Sequence, residues 1–173
     1  MKKMSVKKRM ISFLMCTILL MALTGCGPRN PNWYLSTVNA FKEGYNTGWK
    51  SDQGIDGLYL VDEEKDQSEE FGYLLRDLDG DGINELLIGI MDDSPETKFV
   101  HVVIFHSDLG PYSVFNAGDG YYMYLCDANT LRMDSWYGSE TKTEYMVFDS
   151  KDNSFLIVDG GSKPQKIELT SFN

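Results

Sequence analysis

Apolar residues along the chain form one helical stripe and then a series of short runs. Tyr34, Val38, Phe41 and Tyr45 recur at i, i+4, i+7 and i+11, the spacing of one face of an α-helix. Asn30 is placed to cap that helix and Pro31 to open it, while Gly44 weakens it and Asn46-Thr47-Gly48 ends it. An aromatic stripe of this kind is the face by which a helix packs on a sheet.

From Phe71 onward the period changes. Apolar runs of four to seven residues, at 71–75, 85–91, 99–105, 112–115, 121–126, 130–136, 143–148, 154–158 and 166–169, are separated by clusters of Gly, Pro, Asp, Asn and Ser. Runs at this spacing, divided by turn residues, predict an antiparallel meander. The 85–91 run is apolar on both faces and reads as a central strand. Residues 50–70 read as an irregular connection, with an apolar patch at 58–61 and a solvated charged run at 62–70. The expected fold is therefore α+β, mainly β: one N-terminal helix packed on an antiparallel meander sheet. Strand spacing leaves partial closure of the sheet open. The absence of any repeated unit argues against a full propeller.

The first 25 residues do not belong to that domain. Five of the chain's 16 basic residues (Lys2, Lys3, Lys7, Lys8, Arg9) lie there, with no acidic residue, ahead of an apolar run from Met10 to Leu23. The run is short for a membrane span and has the length of a signal-peptide core. It ends in Leu23-Thr24-Gly25-Cys26, which resembles the lipobox of bacterial lipoproteins. That resemblance implies cleavage after Gly25, a diacylglyceryl group on the Cys26 thiol, and a cell-membrane protein held by a lipid anchor and facing the extracytoplasmic side. Two acyl chains make a stable anchor. The implied organisation is a signal peptide at 1–25, the lipidated cysteine and a short tether at 26–30, and one β-rich domain at 31–173. Beyond residue 25 the remaining 11 basic residues face 26 acidic ones, a formal charge near −15. Such a domain repels nucleic acid, and it favours cations or basic partners.

The most informative stretch is Asp77-Leu78-Asp79-Gly80-Asp81-Gly82-Ile83-Asn84-Glu85, set between two strand-like runs. Asp77, Asp79 and Asp81 alternate, and Gly80 and Gly82 let the chain curl so that the three carboxylates turn toward one point. The Ile83 carbonyl and the Glu85 carboxylate add oxygens, which makes an all-oxygen site for a hard cation, calcium before magnesium or manganese. Two carboxylates about 5 Å apart repel by about 3 kcal/mol at an effective dielectric of about 20, so a loop this acidic benefits from a cation. A bare hairpin turn is the competing reading, since Asp-Gly favours hairpins and Asp side chains cap turns. An EF-hand would place an acid at the twelfth position, where this chain has Ile88. The loop resembles instead the Asp-x-Asp-Gly-Asp-Gly loops of FG-GAP and VCBS repeats, whose ninth position is acidic, as Glu85 is here. The stretch from Tyr73 to Ile90 also resembles a segment of uncharacterised secreted lipoproteins of Gram-positive-type bacteria. Both resemblances imply a calcium site between strands and name no activity.

Catalytic signatures are missing. No Gly-x-Ser-x-Gly elbow, His-Glu-x-x-His helix or phosphate loop occurs. His101 and His106 are five apart in a strand and point to opposite faces. Cys126 reads as a small buried hydrophobe. The functional expectation is a calcium-stabilised binding or interaction module for an extracellular ligand or protein, with Tyr121, Tyr122, Tyr124, Trp136 and Tyr137 as its candidate face. The alternatives are an extracytoplasmic glycan or cell-wall hydrolase, or a structural accessory of an envelope assembly.

Overall fold

The computed structural model describes residues 32–47, 70–106, 109–117 and 120–172. The signal segment, Cys26, Asn30, Pro31 and the connection at 50–69 lie outside the described residues.

Helix α1 spans Trp33–Thr47. Val38 and Phe41 are buried as the stripe requires, and Trp33 and Thr37 join them, while Tyr34 is half-buried. The buried face is thus turned about one residue toward the N-terminus. Trp33 drives this by stacking on Phe105, ring centroids 5.4 Å apart. Thr37 is tolerated there because its Oγ1 donates to the Trp33 carbonyl one turn back, at 3.1 Å. Tyr45 is outside the residues whose side chains are described.

Among the described residues nine strands follow: β1 Phe71–Arg76, β2 Glu85–Ile90, β3 Lys98–His106, β4 Gly110–Asn116, β5 Tyr121–Leu125, β6 Leu131–Tyr137, β7 Glu140–Asp149, β8 Ser154–Val158 and β9 Thr170–Ser171. All pairings are antiparallel, and the order is β8-β7-β6-β5-β3-β2-β1-β9, with β4 also on β3. The sheet is not closed. Every residue of β2 is buried, as expected of a central strand. Leu86, Ile88 and Ile90 face the helix with Val100 and Val103, while Leu87 faces the other way. Fully burying a side chain of this size contributes about 1.5–3 kcal/mol.

Strand β3 divides the sheet. Its residues 101–106 pair with β4, and only Lys98 and Phe99 pair with β5. Across that narrow join the halves enclose a second core. Leu87, Phe99, Val102 and Ile104 come from β2 and β3, and Met123, Leu125, Leu131, Met146 and Phe148 come from β5, β6 and β7.

Two sequence expectations need correction. The ladder between β6 and β7 extends out to Tyr137 and Glu140 around a Gly138-Ser139 turn, so β7 begins before Thr143. Residues 166–169 form no strand. They belong to a strap that leaves β8 at one edge of the sheet and reaches β9 at the other. Gln165 bridges the strands where they part: its N–H donates to the Leu125 carbonyl, and its carbonyl accepts from the Thr97 N–H. Ile167 and Leu169 pack on the second core, which explains why an apolar run here is not a strand. Gly72 and Gly89 are cross-strand partners and form the trough that Leu169 occupies. A Cβ on Gly72 would come within 2.8 Å of the Leu169 Cβ, and one on Gly89 within 3.0 Å of its Cδ1.

Candidate metal centre

The turn from β1 to β2 is built from its carboxylates. Asp77 accepts the Gly80 N–H on Oδ1 at 2.7 Å and the Gly82 N–H on Oδ2 at 2.9 Å. Asp79 Oδ1 accepts from Asp81 N–H at 3.1 Å, and Asp81 Oδ1 accepts from Ile83 N–H at 2.6 Å. Such wrapping requires left-handed backbone at alternate positions, and Gly80 and Gly82 supply it with φ of 81° and 83°. Leu78 is the apolar pin. It is buried in the second core, and its N–H donates to Glu85 Oε2 at 2.7 Å.

These contacts gather Asp77, Asp79 and Glu85, each with a carboxylate oxygen within 4.8 Å of the others, close enough to hold a metal ion. Asp81 lies outside that group, exposed, with its carboxylate turned to Ile83 N–H. Ile83 enters the loop through the same bond. The turn reading and the metal reading are thus not exclusive, because the same oxygens shape the backbone and converge.

The electrostatics are unbalanced. Glu85 is 3% exposed. Its carboxyl is raised to about 7, chiefly by burial, with the charges of Asp79 and Asp81 adding to the shift and the Leu78 N–H opposing it. Burial also works against the charged form of Asp79, but hydrogen bonds from Ser150 and Asp81 outweigh it and hold this carboxyl below its ordinary range. Among the described residues no Lys or Arg pairs with any of the four acids.

Two residues passed over in the sequence complete the centre. Ser150, in the β7–β8 turn, donates its N–H to Asp79 Oδ2 at 3.1 Å. Asn129 follows β5 and donates Nδ2 to the Asp77 carbonyl at 2.8 Å, while its Oδ1 accepts from Arg76 Nε at 2.7 Å. The loop, a turn of one half of the sheet, is therefore tied to two turns of the other half. The one local cue in the sequence is the residue type at 129, since Asn tolerates the left-handed backbone found there, φ 59°. Nothing in the sequence paired it with Asp77, 52 residues away.

The other candidates separate. His101 is buried against Phe41 on the helix side, with Nδ1 at 2.9 Å from Asn116 Oδ1. His106 meets Tyr112, which packs on the second core. The two rings thus lie on opposite sides of β3, as alternation predicts. Cys126 is buried, and its thiol is pushed up by burial. The five aromatics do not share one face. The pairing of Tyr121 with Ser135 and of Tyr122 with Asp134 sets Tyr121 and Tyr137 on one side of the hairpin, and Tyr122, Tyr124 and Trp136 on the other. The Tyr121 and Tyr137 hydroxyls meet at 2.5 Å, and Tyr122 meets Trp136 edge-on at 5.5 Å.

The chain matches no protein-family model, no curated protein and no solved structure.

Proposed function

We propose that the chain is a lipid-anchored extracytoplasmic protein whose mainly-β domain uses calcium as a structural clasp and serves as a binding module. The observation that carries this reading is the convergence of Asp77, Asp79 and Glu85 where turns of the two half-sheets meet. The donor set is all oxygen and strongly anionic, which suits a hard cation with flexible coordination. Asp77, Asp79 and Glu85 would hold the ion, and the Ile83 carbonyl and water would complete its shell. Bound calcium would neutralise the acids and lock the β1–β2 turn to the β7–β8 turn through Asp79 and Ser150. The lipobox-like Leu23-Thr24-Gly25-Cys26 supports the location, where calcium is plentiful enough to fill a site with a dissociation constant of about 0.1–1 mM. The absence of a catalytic motif in the sequence supports binding rather than turnover.

Calcium titration of residues 27–173, followed by thermal unfolding, tests the reading. With a dissociation constant of about 0.1 mM, 2 mM calcium should add about 2 kcal/mol of stability. Asp79→Asn should remove most of that gain. Identical unfolding curves in calcium and in chelator would sink the proposal. Mass spectrometry of the membrane fraction should find a diacylglyceryl group on Cys26, and a Cys26→Ser protein should be released from the membrane.

A further inference from the structure

Strand β8, Ser154-Phe155-Leu156-Ile157-Val158, forms one edge of the sheet, paired with β7 on one side only. Edge strands are ordinarily protected by charged residues, proline, bulges or brevity. β8 has none of the first two, and its register with β7 runs without a shift over all five residues. Successive strand residues face opposite sides, and here both sides are open: Leu156 is 47% exposed and Ile157 69%. Among the described residues nothing pairs with the outer edge of β8.

The charges around this strand define what fits it. Asp149 and Asp152 stand before it and Asp159 after it. Continuing the β7 register places Glu144 beside Asp159. Lys142 is paired with Glu144 at 2.9 Å, and Lys151 is the one cation within the β7–β8 turn itself. The Ser150 contact brings the Asp77–Asp81 loop to the same end of β8. The edge is therefore a neutral apolar strand with acidic groups at both ends. A second copy of the chain fits it poorly. Two β8 strands paired about Leu156 would set Asp159 of each copy beside Asn153 and Asp152 of the other, between two acidic domains. We propose that β8 receives an extended segment of a basic partner protein as an added strand, with alternate apolar side chains over Leu156 or Ile157 and a Lys or Arg at each end. Main-chain hydrogen bonds then supply affinity, and the flanking charges supply selection.

The test uses the full chain in neutral detergent with calcium held constant. The probe is a fluorescein-labelled, end-blocked peptide Lys-Val-Thr-Val-Thr-Val-Lys, compared with its Glu-ended counterpart. The Lys-ended peptide should bind saturably and about tenfold more tightly than the Glu-ended one, and more weakly as salt rises. Hydrogen exchange should slow at residues 154–158 on binding. The double variant Asp152→Lys with Asp159→Lys changes two exposed side chains and should reverse the preference. Equal binding of both peptides, protection confined to another part of the domain, or no saturable binding would overturn the proposal. So would a peptide-independent dimer, seen by sedimentation, that protects β8.

Discussion

Two acidic clusters in this domain have opposite fates. In the β1–β2 turn, Asp77, Asp79 and Glu85 converge, and among the described residues no basic side chain pairs with them. Beside β6, Glu96 and Asp134 converge on Arg132, whose Nη2 lies 3.0 Å from one and 2.9 Å from the other. Thr143 Oγ1 donates to Asp134 at 2.8 Å, and the guanidinium lies over the Tyr124 ring at 4.4 Å. Burial works against the Arg132 charge, yet Asp134 and Glu96 outweigh it and hold its proton more tightly than usual. The β6 cluster carries its cation in the chain. The turn cluster leaves Glu85 raised to about 7, the mark of a buried anion without a counter-charge. The difference teaches where an outside cation would have a place: carboxylates gather in both clusters, and among the described residues only those beside β6 are paired with a basic side chain.

Removing the internal cation should have the largest effect. Arg132→Met leaves the part-buried Glu96 and Asp134 without their partner; loss of one member of a fully buried ion pair costs about 3–5 kcal/mol, so a loss of about 3 kcal/mol is expected here. Urea unfolding should show this loss equally in calcium and in chelator. Recovery of the variant by calcium would mean that the two clusters are not independent.

The next effect is a pH dependence confined to the turn. The unfolded chain releases the Glu85 proton near pH 4.5 and the folded chain near pH 7, so between these values the folded state holds more protons. Stability in chelator should therefore fall as pH rises through this window, by an amount on the order of 3 kcal/mol. In saturating calcium the ion keeps the carboxylate charged, and stability should rise with pH instead. Glu85→Gln should flatten the dependence in chelator and lose the calcium response. Thermal unfolding at several pH values reads both, and parallel curves with and without calcium would break the contrast between clusters.

Legibility in the sequence followed the range of the forces. Alternation and helical period are local, so α1 and the runs at β1 to β8 stood out, and the two-sided burial of β2 followed from an unbroken apolar run. Residues 166–169 misled because an apolar stretch packs equally well as a strand or as a strap, and only the Gly72–Gly89 trough decides. The acidic loop was legible as a curl because its hydrogen bonds span at most seven residues. Its ties to Asn129 and Ser150, across 52 and 71 residues, depend on how the half-sheets meet. The curl at Gly80 and Gly82 was expected to bring Asp81 in with Asp77 and Asp79. It gathers Asp77, Asp79 and Glu85, while an Asp81 oxygen accepts from Ile83 N–H.

That departure yields the smallest of the expected effects. Asp79 both reaches the convergent oxygens and holds Ser150, whereas Asp81 contributes a single bond to Ile83 N–H and a charge near Glu85. Asp81→Asn keeps an oxygen for the Ile83 bond and removes only the charge. It should lower the stability gained from calcium by about 0.5 kcal/mol, the scale of an exposed charge pair, where Asp79→Asn removes most of that gain. It should also ease the repulsion on Glu85 in chelator, so the two changes have opposite signs in the two conditions. Calcium titration of both variants under one protocol separates a ligand from a bystander. Equal losses for Asp79→Asn and Asp81→Asn would make Asp81 a ligand, and would require the loop to close further around the ion than its hydrogen bonds now hold it.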